Sequence, residues 1–240
     1  MTFAPFTRSF ALRTASVLGC ICALGALSAC SDSDDDEAEG TNLSFFVTST
    51  QHEGNLNGLT GADKICQDLA VAAGASSKTW KAYLSAANGG TPIHAKDRIG
   101  TGPWYNAAGV KLADNLTALH ALTGNADLFI TEKGEKVPGQ WNAAMPNEHD
   151  VMTGSSNDGT LIMTMDAMTG MPVQTTCNDW TSNTLTPGPQ VGHTDGMGPM
   201  MATNDARFIS WNGGHPARGC AAADLAMSGS TGRLYCFASN

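Results

Sequence analysis

A chain of 240 residues with 42% hydrophobic content is long enough to bury one full core, and its 27 glycines and 10 prolines weigh against a helical bundle. The formal charge of −9 disfavours nucleic-acid binding, which needs a basic face. Much of that charge is local, because Asp32, Asp34, Asp35, Asp36, Glu37 and Glu39 form one short run.

Residues 1–29 have the pattern of an export signal. Arg8 and Arg13 precede an apolar core from Ala15 to Ala29, which is too short for a comfortable membrane span. The closing Leu27-Ser28-Ala29-Cys30 resembles the lipobox of bacterial lipoproteins. That resemblance implies cleavage before Cys30 and acylation of its sulfur and new amino group. Because Ser31 rather than Asp follows, it also implies sorting to the outer membrane. Several acyl chains anchor firmly, since each buried CH₂ adds about 0.8 kcal/mol. Residues 30–42 would then be the lipidated cysteine and a solvated acidic linker, extended by self-repulsion.

The domain proper is expected over 43–240. Leu43–Ser49 is rich in aromatic and β-branched residues and predicts a strand. Thr60-Gly-Ala-Asp63 has the form of a capping box with a shortened acid. Ala62, Ile65, Cys66, Leu69 and Ala73 follow at helical spacing up to Gly74, which places Cys66 on the inner face of a helix. Thr79–Leu84 predicts a second strand, and Asn88–Gly109 is turn-rich. A short helix is expected from Asp114 to Leu122, capped by Asp114, with His120 packed at the core edge rather than acting as a ligand. A hairpin is expected around Glu132–Glu135 and a strand from Val151. From Thr160 to Met201 the chain predicts mostly loop, with methionines set among Gly and Pro. Arg207–Trp211 and Arg233–Phe237 are the expected closing strands.

Setting aside Cys20, Cys22 and Cys30 leaves Cys66, Cys177, Cys220 and Cys236, with no C-x-x-C pair. An exported chain with this even set predicts disulfides rather than a cysteine zinc site, with three pairings open. The order of helix cysteine, T-W-K-A-Y-L-S, D-R-I-G, T-G-S-x-x-D-G, C-N-D-W-T-S, S-W-N, H-P-x-R-G-C and L-Y-C resembles bacterial lipoprotein domains of unknown function with a C-type lectin-like fold of the endostatin-like variety. The resemblance spans roughly residues 43–240. It implies an α+β fold of mixed antiparallel sheets, two short helices and a long irregular loop region. It also implies two nested disulfides, Cys66–Cys236 and Cys177–Cys220. The sugar-site triplets of calcium-dependent lectins are not matched, because Met145 precedes Pro146-Asn147 and Asn178-Asp179-Trp180 is scrambled. No endostatin-type N-terminal histidine cluster is present either.

Two polar clusters carry the chemistry. Glu148-His149-Asp150 and His193-Thr-Asp195 together offer imidazoles and carboxylates to a metal, with Asp158 as a further candidate. Adjacent residues on a strand point to opposite faces, so at most His149 is expected to converge with a distant partner. Asn157, Asp158, Asp166, Asp179, Asp195 and Asp205 supply oxygens for a structural calcium ion. His215 and Cys220 suggest a cysteine–histidine pair, but Cys220 is expected in a disulfide, and no catalytic motif accompanies them. Trp180 and Trp211 are expected in the core beside cysteines on strands. Trp104 and Trp141, among Gly, Pro and Asn, are expected as exposed platforms for a sugar or peptide. Met197, Met200 and Met201 would give the long loop an adaptable apolar surface. The expected role is non-catalytic recognition of a glycan or protein at the envelope. The alternatives are a metal-dependent hydrolase built on the His/Asp pairs and a structural envelope protein.

Overall fold

A computed structural model of the protein describes residues 42–165 and 168–239. The export signal, Cys30 and the acidic run lie outside the described residues, as does Asp166. The described part is α+β, with short helices and mixed sheets. In chain order it runs β1 (Phe45–Val47), α1 (Gly58–Ala72), β2 (Trp80–Ala82), β3 (Trp104–Tyr105), β4 (Lys111–Ala113), α2 (Leu116–His120), β5 (Asp150–Met152), β6 (Met163–Met165) and β7 (Pro172–Gln174). It continues through α3 (Cys177–Trp180), β8 (Gln190–His193), α4 (Ala206–Ile209), β9 (His215–Pro216), α5 (Ala222–Ala226) and β10 (Ser230–Ala238).

The main sheet has the order β1-β10-β5-β8-β9, with β2 also paired to β10. Its centre is buried on both faces, and the side-chain period of two sorts residues between two clusters. Phe46, Leu234, Cys236 and Ala238 point to one, beneath α1, together with Trp80, Met152, Trp180 and Val191. Phe45, Val47, Tyr235 and Phe237 point to the other, against Tyr83, Phe129 and Trp211. Strand β10 runs parallel to β5 and antiparallel to β1 and β2. Its register against β5 shifts between Ser230 and Arg233. Gly232 sits at that bulge with φ +75°, and a Cβ there would lie 1.8 Å from the His52 carbonyl oxygen, so only glycine fits.

Disulfides join Cys66 of α1 to Cys236 of β10, and Cys177 to Cys220. The first lies wholly within the core, and the second closes the segment that carries β8 and β9. Cys66 is buried on the inner face of α1, as its spacing predicts. The helix starts differently from the expectation. Asn57 stands at its N-cap in a left-handed conformation, without a side-chain cap. Asp63 turns away to accept from the Ala82 N–H, Lys81 and Arg98, tying α1 to β2. The α2 cap is Asn115, whose side chain accepts from the Ala118 N–H, while Asp114 pairs with Lys111.

His120 does pack at the core edge, its Nε2 2.8 Å from the Tyr83 hydroxyl. A tight turn over Glu132–Glu135 closes a bridge between Ile130 and Lys136. The expected strand at Arg207–Trp211 is instead the helical turn α4, because Asp205 caps it through the Arg207 N–H. Trp180 is buried as expected, but in a left-handed turn rather than a strand. Residues 177–180 all have φ between +51° and +68°. Such a run is strained for non-glycine residues. It is held by the Cys177 disulfide, by Asp179 accepting from the Ala87 and Asn88 N–H groups, and by the Trp180 indole donating to the Ser85 carbonyl.

Candidate metal centre

Strand pairing assembles the site. Antiparallel pairing of β5 with β8 sets Met152 opposite Val191 in the core and, one pair along on the same face, Asp150 opposite His193. β9 adds His215, opposite Val191. His149 precedes β5 by one residue and escapes the pleat alternation, so its ring turns back toward Asp150. The sequence expectation that His149 and Asp150 diverge is therefore wrong. It holds only inside a strand, and β5 begins at Asp150.

Three imidazole Nε2 atoms thus surround one carboxylate. His149 Nε2 lies 3.1 Å from Asp150 Oδ1, His193 Nε2 lies 3.3 Å from the same oxygen, and His215 Nε2 lies 3.4 Å from Oδ2. The Asp150 side chain is completely buried, yet neither of its oxygens has a hydrogen-bond donor of good geometry. A fully buried carboxylate without partners is costly.

The tautomer of His149 sharpens the point. Its Nδ1 lies 2.7 Å from Asp195 Oδ1. A carboxylate accepts, so Nδ1 carries a proton; in the neutral ring Nε2 then presents a lone pair toward Asp150, whereas in the charged ring, which the raised pKa favours, Nε2 donates to it. Either a proton on Nε2 or a metal ion in its place joins the two atoms at that distance. Burial pushes the Asp150 carboxyl up to about 6. Burial also pushes His193 down to about 3, reinforced by the charges of His149 and His215. At His149 burial acts downward, but the hydrogen bond to Asp195 and the fields of Asp150 and Asp195 outweigh it and raise its pKa.

The spacing suits a small divalent ion. Around tetrahedral zinc with bonds of about 2.0–2.1 Å, neighbouring donors lie about 3.3 Å apart. The three nitrogen–oxygen separations bracket that value. The donor atoms of His149, Asp150 and His193 all lie within 4.8 Å of one another, while His215 approaches the other carboxylate oxygen, Oδ2. Around the donors, small residues make room. A Cβ on Gly139 would meet Asp195 Oδ2 at 2.5 Å, and one on Gly214 would meet the His193 ring at 2.8 Å.

Asp195 is a positioning residue. Besides orienting His149, it accepts from the backbone N–H groups of Gln140, Trp141 and Met197. Such a carboxylate–histidine pair fixes ring orientation and raises ligand basicity. Asp195→Asn is expected to weaken zinc binding about 10- to 100-fold while the fold persists. Competitive titration against a chromophoric zinc chelator measures the change.

The centre opens on a pocket of about 410 Å³. His149, His193 and His215 line it together with Met145, Asn147, Phe208, Met227 and Ser228. His215 is the most accessible of the three imidazoles, with one third of its side chain exposed. A neighbouring pocket over Gln51, His52 and Thr231 offers one imidazole, which already contacts the Thr50 hydroxyl.

Other sequence candidates lie elsewhere. Asp158 accepts from Ser156 and Thr160 and faces Lys96, outside the imidazole cluster. Among the described residues, the oxygens proposed for calcium are engaged with separate partners. Asn157 accepts from Ser210, Asp179 from Ala87 and Asn88, and Asp205 from Arg207. Trp104 is 1% exposed, packs edge-on against Phe237 and donates to the Ala238 carbonyl, so it is core and not a platform. Trp141 is half-buried, donates to the Val137 carbonyl and lies under the Lys136 ammonium. The two rings do not share a groove. His215 is the member of the imidazole cluster that sequence reasoning did not place there, because it approaches Asp150 only once β9 pairs with β8. Neither family models nor curated proteins match this chain.

Proposed function

We propose that this protein is a lipid-anchored envelope protein whose single domain holds a zinc-class ion and binds, without catalysis, an anionic group of a glycan or protein ligand at that ion. The observation that carries this reading is the buried Asp150 carboxylate, unpartnered and faced by three imidazole Nε2 atoms. His149, Asp150, His193 and His215 are the ligands. Imidazole and carboxylate donors of this number suit zinc better than calcium, which takes six to eight oxygens.

The pocket above the ion supports recognition rather than turnover. Its lining residues include no Asp, Glu, Lys or Arg, so an anionic donor meets no acidic side chain there, and the only titratable groups in the lining are the three histidines assigned to the ion. Glu148, the nearest acid in sequence, is held by buried Arg233. Exposed Met145 and Met227 supply adaptable apolar contact. The C-type lectin-like reading is supported by the nested disulfides, by adjacent first and last strands, and by a loop-rich segment between Cys177 and Cys220 that carries His193, Asp195 and His215. The lipobox at Cys30 supports the outer-membrane anchor.

The test is binding of the detergent-solubilised full chain to a glycan and envelope-polymer array, with zinc and with chelator. Binding that requires zinc and is lost in His193→Ala is the expected result. Binding indifferent to chelation would overturn the metal-centred reading, and conversion of the bound polymer would replace it with the hydrolase.

A further inference from the structure

We propose a second metal site, for Cu(I), on the methionine hairpin formed by β6 and β7. Eleven large hydrophobic side chains are exposed among the described residues, and eight of them are methionines. Surface chosen only for hydrophobicity would draw on Leu, Ile and Val as well. The sulfur atom is what these positions have in common.

Four of the eight fall within nine residues, in the order Met163-x-Met165-x-x-Met168-x-x-Met171. The hairpin pairs Met163 with Gln174 and Met165 with Pro172. Met163 and Met165 therefore share the outward face, while Thr164 and Val173 lie half-buried on the other. Met168 is 96% and Met171 is 64% exposed, the first in the connecting turn and the second just before β7. Residues two apart on a strand are about 6.5–7 Å apart at Cα. A methionine side chain has three rotatable bonds to close that gap, so several sulfurs can meet on one ion.

The chemistry selects the ion. Thioethers are soft, uncharged donors and favour Cu(I) over zinc or calcium. Among the described residues no free thiol competes, because Cys66, Cys177, Cys220 and Cys236 are all in disulfides. The hairpin brings no imidazole or carboxylate from the zinc centre, so this inference stands independently of the proposed zinc-dependent recognition.

The experiment titrates the detergent-solubilised full chain anaerobically with Cu(I), ascorbate being present, against a chromophoric Cu(I) chelator. Three proteins are compared: the native sequence, the variant M163L/M165L/M168L/M171L, and the variant H149A/H193A. The native chain is expected to withdraw one equivalent from the chelator through the hairpin. The leucine variant is expected to lose that affinity by roughly 100-fold or more, with its zinc affinity and thermal melt unchanged because the positions are exposed. The histidine variant is expected to retain it. The proposal is overturned if the native chain withdraws no copper, if the leucine variant competes equally well, or if the histidine variant alone loses binding. The first of these outcomes would leave the hairpin as a surface for a protein partner.

Discussion

Zinc is expected to raise the melting temperature of the native protein by on the order of 10 °C, and H149A/H193A is expected to abolish that shift. An ion at about a thousand times its dissociation constant adds about 4 kcal/mol to folding stability. In a domain of this size each kcal/mol moves the midpoint by about 2–4 °C. The two alanines remove two of the four proposed donors, including the one oriented by Asp195. Zinc affinity should fall by at least about a thousandfold, because structural zinc sites draw their 10–16 kcal/mol from a complete set of ligands. Without zinc, the variant is expected to melt lower than the native chain, since two buried rings are replaced by cavities and Asp195 loses its His149 partner, so the zinc-dependent shift is the readout. His215→Ala should cost less, its ring being the accessible one.

The sign of the pH dependence follows from the same ligands. Zinc binds deprotonated imidazole, so protons compete and affinity falls as pH drops through the ordinary histidine range near 6.5. Calorimetric scans at several zinc concentrations and pH values check each of these points.

The second large effect belongs to the core disulfide. Cys66 and Cys236 are 170 residues apart, and Cys177 and Cys220 are 43 apart. On the chain-entropy account, cross-links of these spans contribute about 5 and about 4 kcal/mol respectively. C66A/C236A is expected to lower the guanidinium midpoint more, because its sulfurs also fill the cluster around Phe46 and Trp80. Alanine is preferred to serine there, since a hydroxyl would be buried without a partner. C177A/C220A should be milder for the fold but more damaging to zinc binding, because that bridge closes the segment that positions His193 and His215. Equal midpoints for the two variants, with zinc affinity untouched in both, would contradict this division of roles.

The sequence and the structure agree where local rules govern. Helical spacing of Ala62, Cys66 and Leu69 placed Cys66 inward, and β-branched and aromatic runs located β1, β2 and β10. Both disulfides match the pairing that the family resemblance implied. Local rules did less well where a long-range partner decides. The Arg207–Trp211 segment is an expected closing strand, but the Asp205 cap winds it into α4. β8 lies in a stretch rich in Gly, Pro and Met, and exists because β5 and β9 flank it.

The site shows the same division. His149, Asp150, His193 and Asp195 were legible as ligating types in adjacent pairs. Their sharing of roles was not, because it depends on His149 lying just outside a strand and on the β5–β8 register. His215 was passed over for its nearness in sequence to Cys220. Trp104 drew attention through its Gly-Pro neighbours, yet β3 folds it under Phe237.

The most direct measurement of the central claim is zinc K-edge X-ray absorption on the protein loaded with one equivalent of zinc. The account predicts four light donors at about 2.0–2.1 Å, with the outer-shell scattering of three imidazoles, and one imidazole fewer in His215→Ala. A six-oxygen shell, or a spectrum unchanged by replacing any of the three histidines, would contradict it.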